Sequence, residues 1–142
     1  MDKMTLTAPC GLDCFNCEIF EDNLTNYFAD FIHTRLNAPL KEIPCKDCRQ
    51  QDGKHFHLPQ GCATLDCVKA RGMQSCLACN DFPCAFLAPV ADEADKYPHN
   101  IKVFNLCRIN KIGLQRWTEE EAGQIRNKYF TNRFIMGRDQ AG

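Results

Sequence analysis

Ten of the eleven cysteines fall into four tight clusters between residues 10 and 84: Cys10-x3-Cys14-x2-Cys17, Cys45-x2-Cys48, Cys62-x4-Cys67 and Cys76-x2-Cys79-x4-Cys84. This spacing constrains the fold more than any hydrophobic pattern does. The segment has few long apolar runs, and the whole chain contains only three valines against ten phenylalanines. Cross-links between cysteines, through metal or disulfide, are therefore expected to hold it together.

Compartment separates those two options. The N-terminal MDKMTLTAPCGLDC lacks the apolar stretch of a signal peptide, and no run reaches the roughly 20 apolar residues of a membrane span. We expect a cytoplasmic protein with no membrane association, where thiols stay reduced and clustered cysteines signal metal or redox chemistry. An odd count of eleven also fits a closed disulfide framework poorly.

Structural zinc is tetrahedral, with Zn–S bonds of about 2.3 Å and sulfurs about 3.8 Å apart. Two cysteines separated by two residues meet that spacing from one turn, as in Cys14/Cys17, Cys45/Cys48 and Cys76/Cys79. Cys62 and Cys67, five apart, stay near one face of a partly helical segment. The expected metal ligands are Cys10, Cys14, Cys17, Cys45, Cys48, Cys62, Cys67, Cys76, Cys79 and Cys84. Two zinc ions would use eight of these ten, with Cys10 and Cys84 as the spares by spacing; one four-iron cluster plus one zinc would also use eight, and three ions would need nine cysteines with three bridging sulfurs. The grouping into sites stays open.

An iron–sulfur cluster is the alternative cofactor, since all-cysteine ligation also suits iron. The first triad has the spacing that holds a four-iron cluster in radical SAM enzymes, but their βα barrel is not legible here. A thiol redox role needs a thiolate at a helix N-terminus, and Asn80-Asp81-Phe82-Pro83 follows Cys79 closely. Cys107, between Leu106 and Ile109, reads as a small core residue. His55 and His57 read as exposed loop histidines, and His33 and His99 have no metal-like context. With a single serine, Ser75, and no phosphate loop, no catalytic residue is expected.

Charge is divided along the chain. Residues 1–95 carry 8 basic and 14 acidic side chains, and residues 96–142 carry 9 and 4. An acidic cysteine lobe argues against gripping nucleic acid through the cysteines. The basic tail (Arg126, Lys128, Tyr129, Phe130, Arg133, Phe134, Arg138) offers a second alternative, a nucleic-acid-binding module. A solvated helix with Tyr129 and Phe130 in the core explains the same residues more simply.

Periodicity predicts helices over Glu18–Leu36, Cys62–Arg71 and Asn100–Ile112, closed by Asn37-Ala38-Pro39, Gly72 and Gly113. A further helix is expected from Asp81 to about Pro89, with Asp81 as cap. A capping box at Thr118 and Glu121 opens a last helix, running to about Phe130. Strand candidates are limited to Thr5–Ala8 and Ile43–Cys45. The expected fold is α+β but mostly helical: one domain over 1–142, with a loop-rich cysteine lobe at 8–90 and C-terminal helices at 91–142 packed on it.

The chain resembles a family of small cysteine-rich proteins that form a domain of unknown function. The resemblance rests on Cys10-Gly11-Leu12-Asp13-Cys14-Phe15-Asn16-Cys17, Cys45-Lys46-Asp47-Cys48, Cys62-x4-Cys67 and Cys76-Leu77-Ala78-Cys79-Asn80-Asp81-Phe82-Pro83-Cys84. It continues through a helix to Ile112-Gly113 and Trp117, covering about residues 8–120. It implies metal binding, with zinc the expected metal, and no assigned catalysis. The functional expectation is a zinc-binding module with structural sites that presents a surface to a protein partner.

Overall fold

A computed structural model of the chain describes residues 1–87 and 101–131, with Phe130 and Thr131 described in their backbone only. The described residues are mostly helical. The β component of the expected α+β class is limited, among them, to three isolated bridges: Thr7 with Asp13, Phe20 with Cys45 and His55 with Leu58. The two strand candidates thus supply one bridging residue each.

Helix α1 spans Asn26–Leu36, shorter than the expected Glu18–Leu36. The reason is local. Thr25 caps α1 by accepting the Phe28 N–H at 3.2 Å, and Phe20 is drawn into the bridge to Cys45 and buried. Asn37, at φ 53°, ends the helix in the left-handed region as expected. The apolar face behaves differently from the periodic reading: Ile32 is buried, whereas Tyr27 is 81 % and Phe31 47 % exposed.

Helix α2 covers Ala63–Ala70, with Cys62 at its cap and Gly72 at φ 65° just beyond. It buries Thr64, Leu65 and Val68. The helix expected from Asp81 is reduced to a 3-10 turn at Ala85–Leu87. Asp81 is not a cap there; it accepts from Arg71 Nη1 at 2.8 Å. The rest of that predicted helix lies outside the described residues.

Helix α3, Ile101–Ile112, buries Ile101, Lys102, Asn105, Leu106 and Ile109. Phe104, expected in its core face, is 48 % exposed, and Cys107, expected as a small core residue, is exposed as well. The buried face has rotated to include Lys102 and Asn105 because the first cysteine loop rests there. Asn105 Nδ2 donates to the Gly11 carbonyl at 2.9 Å.

After Gly113 (φ 88°) the chain stays helical through α4 (Leu114–Arg116), a π-helical turn (Trp117–Glu121) and α5 (Ala122–Thr131). The expected capping box is therefore absent as a helix start. Thr118 Oγ1 donates back to the Gln115 carbonyl at 2.7 Å, and Glu121 accepts from Arg108 Nε at 2.8 Å and Nη2 at 2.5 Å. The helix begins five residues earlier than the sequence signal, capped at Gly113 and not at Thr118, so both groups serve other partners.

The main core joins the two halves of the chain. Leu6, Phe15, Phe20, Leu65, Val68 and Leu87 pack with Leu106, Ile109, Trp117 and Ala122, and Cys10 and Cys76 belong to the same cluster. Trp117 is fully buried and meets Phe15 edge to face at 6.3 Å between ring centroids. A smaller cluster of Ile32, Ala38 and Ile43 seats α1.

Candidate metal centre

Two of the Cys-x2-Cys pairs are built on the same backbone device. Cys14–Asn16 and Cys76–Ala78 are 3-10 turns, closed by Cys17 N–H to the Cys14 carbonyl at 3.0 Å and Cys79 N–H to the Cys76 carbonyl at 3.1 Å. Each turn carries its first and last thiol to the same side. Ser75 caps the second turn through Leu77 N–H at 3.2 Å.

The third pair depends on Asp47, which is buried at φ 91°. Its carboxylate accepts from Arg49 N–H at 2.6 Å, Gln50 N–H at 3.2 Å and Gln50 Nε2 at 2.9 Å. Arg49 then reaches outward to the carbonyls of Thr5 (3.0 Å), Thr7 (2.8 Å) and Gln74 (3.2 Å). One guanidinium so joins the loops of three cysteine clusters. Sequence reading passed over Asp47 and Arg49; charged residues inside a cysteine-rich loop were the only signal.

The fold sorts the ten clustered cysteines into two groups. Cys10, Cys14, Cys17, Cys45, Cys48 and Cys62 line a cavity of about 210 Å³, whose wall also includes Asp47, His55, His57 and Lys102. Cys67, Cys76, Cys79 and Cys84 line a second cavity of about 20 Å³. Cys62 and Cys67, expected as one pair, separate: Cys62 sits at the α2 cap on the larger cavity and Cys67 one turn on, at the smaller. The two expected spares, Cys10 and Cys84, each fall in a group. A hydrogen bond of 2.9 Å from Cys76 N–H to the Pro9 carbonyl ties the two groups together.

Five of the clustered thiols, Cys10, Cys14, Cys45, Cys48 and Cys76, are pushed above the ordinary thiol range, with burial the largest cause in each. Burial, then the neighbouring Cys48, Cys10, Cys17 and Cys45, raises Cys14 well above the ordinary thiol range. Burial also pushes Cys48 and Cys76 up to about 12, with repulsion from Cys10 the next cause in each case. Thiols raised in this way favour the protonated form, and a bound cation would offset that cost of burial. Cys79 has further support: Arg71 Nη1 lies 3.1 Å and the Asp81 N–H 3.4 Å from its sulfur.

The donor set is sulfur-rich, which suits zinc or iron in chemistry, although Cys84 is exposed and only Cys10 and Cys76 are buried. Among the described residues, however, no three His, Cys, Asp or Glu side chains converge closely enough to close on one ion. The sulfurs line cavities instead of meeting at a point, so coordination requires the side chains to rotate inward from these positions.

His55 and His57, expected as exposed loop residues, stand at the larger cavity with their Nδ1 atoms 2.6 Å apart. His55 Nε2 also bonds the Ile43 carbonyl at 3.0 Å, and burial lowers its pKa. His57 remains exposed. Arg126, expected as a solvated or phosphate-binding cation, turns inward: Nη1 donates to Asp13 at 2.9 Å and Nη2 to Glu18 at 2.7 Å. It thereby clamps α5 to the first cysteine loop. Tyr129, expected in the core, is exposed, and Arg133, Phe134 and Arg138 lie outside the described residues.

The fold and these cavities define a small, mostly helical, cysteine-rich protein whose thiols are gathered by loops. The chain matches the family described as "Protein of unknown function (DUF3795)" over residues 6–89 and belongs to that family. The match takes in all ten clustered cysteines and ends before α3, so the expected likeness through Trp117 lies beyond it. Comparison with curated proteins and with solved structures gives no match. No helix among the described residues is long and apolar enough to cross a membrane.

Proposed function

We propose that this protein is a metal-binding module in which two all-thiolate centres hold the cysteine segment folded. The observation that carries the reading is the sorting of ten cysteines around two cavities, six on one and four on the other. Zinc is the metal this arrangement suits best: closed thiolate sites leave no position for water or substrate and act structurally. Metal binding energy is folding energy in such sites. That matters here because the cysteine loops are shaped by short turns and by the hydrogen bonds of Asp47 and Arg49.

A structural module needs a surface to present. Support for a protein partner comes from α1, where Tyr27, Phe31 and Leu36 are exposed beside Leu40. Nucleic acid is a weaker partner, because Arg126 is committed to Asp13 and Glu18. An iron–sulfur centre is the second reading, supported by the size of the larger cavity.

Metal analysis with an ultraviolet–visible spectrum, on protein purified without oxygen, tests the proposal. Zinc without visible absorbance is the expected result. Iron with inorganic sulfide transfers the protein to the second reading, and metal-free folded protein removes both.

A further inference from the structure

We infer that the exposed face of α1 is a self-association surface, on which a second copy of this chain lays its own α1 in parallel. This rests on the reading above only in that α1 carries the surface the module presents. It holds for whichever metal the cysteines take.

The helix itself is the first argument. Eight of the eleven residues of α1 are exposed, and Ile32 alone is buried. A helix of fewer than about 12 residues is marginal in water unless packing supports it. The cluster of Ile32, Ala38 and Ile43 supports one side. A contact along another side would complete the helix.

The pattern of side chains supplies that contact. Tyr27, Phe31 and Thr34 follow one another at intervals of four and three residues, the spacing of a seam between two helices. All three are exposed, Tyr27 and Phe31 being large and apolar. Ile32 lies about a third of a turn from this seam, so docking there leaves its own cluster intact. The Phe31 ring is already held in place. Phe28 stacks on it with centroids 6.0 Å apart and planes within 10°, and the Arg35 guanidinium lies 5.8 Å from its centroid. A ring fixed before contact loses less entropy on binding.

Charge selects the occupant and its direction. Asp30 and Arg35 flank the seam on opposite sides, and neither forms an ion pair among the described residues. In a parallel pair, the residue just before one seam position meets the residue five further along the other helix. Asp30 of each copy then faces Arg35 of the other, twice by symmetry. An antiparallel pair sets each flank against itself, so the acidic sides meet and repel. A different protein would have to supply a base, an apolar ridge and an acid in matching order, whereas this chain already carries them. The two-fold arrangement closes, giving a dimer and not a filament. The helix is only about 16 Å long. Its interface falls in the small, transient class, with a dissociation constant on the order of 100 µM.

Sedimentation equilibrium on the full metal-loaded chain, in reducing buffer without oxygen, tests this from about 1 µM to about 1 mM. The mass should start at 16.2 kDa and rise toward twice that value. Asp30→Arg and Arg35→Asp should each weaken association about tenfold, because each sets like charges across the seam. An equimolar mixture of the two variants should associate about as well as the original chain, since opposite charges then meet only between unlike copies. Phe31→Glu should stay at the single-chain mass throughout, with its circular dichroism unchanged as the control for folding. A single-chain mass at every concentration overturns the inference and leaves α1 to a different protein. A mixture no tighter than either variant alone overturns the parallel pairing. Neither result bears on the metal reading, which metal analysis tests separately.

Discussion

Residues 1–87 and residues 101–131 are stabilised in different ways. The C-terminal part is helical throughout except at Gly113 and carries its own local support. Arg108 holds Glu121 with two hydrogen bonds, and Arg116 pairs with Glu120 one turn away. The cysteine part contains two α-helices, of 11 and 8 residues, among 3-10 turns and loops. Its backbone is shaped by single hydrogen bonds at turns and by Asp47 and Arg49. One region is regular helix. The other is turn and loop around buried Leu6, Phe15, Phe20, Leu65, Val68 and Leu87, to which the proposed function adds metal cross-links, and the seam between them is made by Gly11 on Asn105, Asp13 on Arg126 and Phe15 on Trp117.

If that contrast is right, the largest effect comes from removing a ligand. Cys76→Ser and Cys14→Ser should each cost more than about 4 kcal/mol, the range reached when a structural metal site is lost. Chemical denaturation of metal-loaded protein measures it, and a loss below about 1 kcal/mol would count against metal as the organising element.

The seam comes next. Arg126→Ala leaves Asp13 buried without the Arg126 bond and should cost about 3 kcal/mol. Much of that is the price of a stranded charge, so pairing the change with Asp13→Asn should recover a large part of it. Additive losses in the double variant would show that the clamp does not exist. Glu18 should matter little, being largely exposed at the other guanidinium nitrogen.

Gly11→Ala is expected to cost about 2 kcal/mol. The glycine stands at φ 88°, and an added Cβ would lie 2.9 Å from Leu106 Cγ and 3.1 Å from the Lys102 carbonyl. Thermal unfolding with α3-specific probes should show the first cysteine loop lifting from the helix. An unchanged melting temperature would mean the loop is not seated there.

Cys107→Ser gives the smallest effect, within about 0.5 kcal/mol and with no change in metal content. Cys107 is exposed on α3 and lines neither cysteine cavity. A loss of metal in this variant would break the division between the regions.

Short-range signals in the sequence served well where one backbone segment decides the outcome. Asn37, Gly72 and Gly113 ended their helices because a left-handed residue stops a helix whatever lies nearby. The Cys-x2-Cys turns at Cys14 and Cys76 were legible for the same reason. Failures came where tertiary partners compete. Thr118 and Glu121 have the letters of a capping box, but burial of Trp117 keeps the helix running through them. Phe20 has helical spacing, yet pairing with Cys45 takes it out of α1. The division of Cys62 from Cys67 depends on how α2 lies between the two cavities, which spacing alone does not encode. Arg126 looked like part of a basic tail because its carboxylate partners sit more than a hundred residues away.

Region-resolved hydrogen exchange before and after metal removal addresses the central claim most directly. The amides of Cys17, Cys45, Gly53 and Cys79 donate the turn and loop hydrogen bonds that shape the cysteine lobe. With metal bound they should exchange slowly. After anaerobic chelation they should exchange at nearly the unfolded rate, while amides within α3 and α5 change less. Equal protection of the four loop amides with and without metal would contradict the account, because the cysteine lobe would then hold its shape unaided.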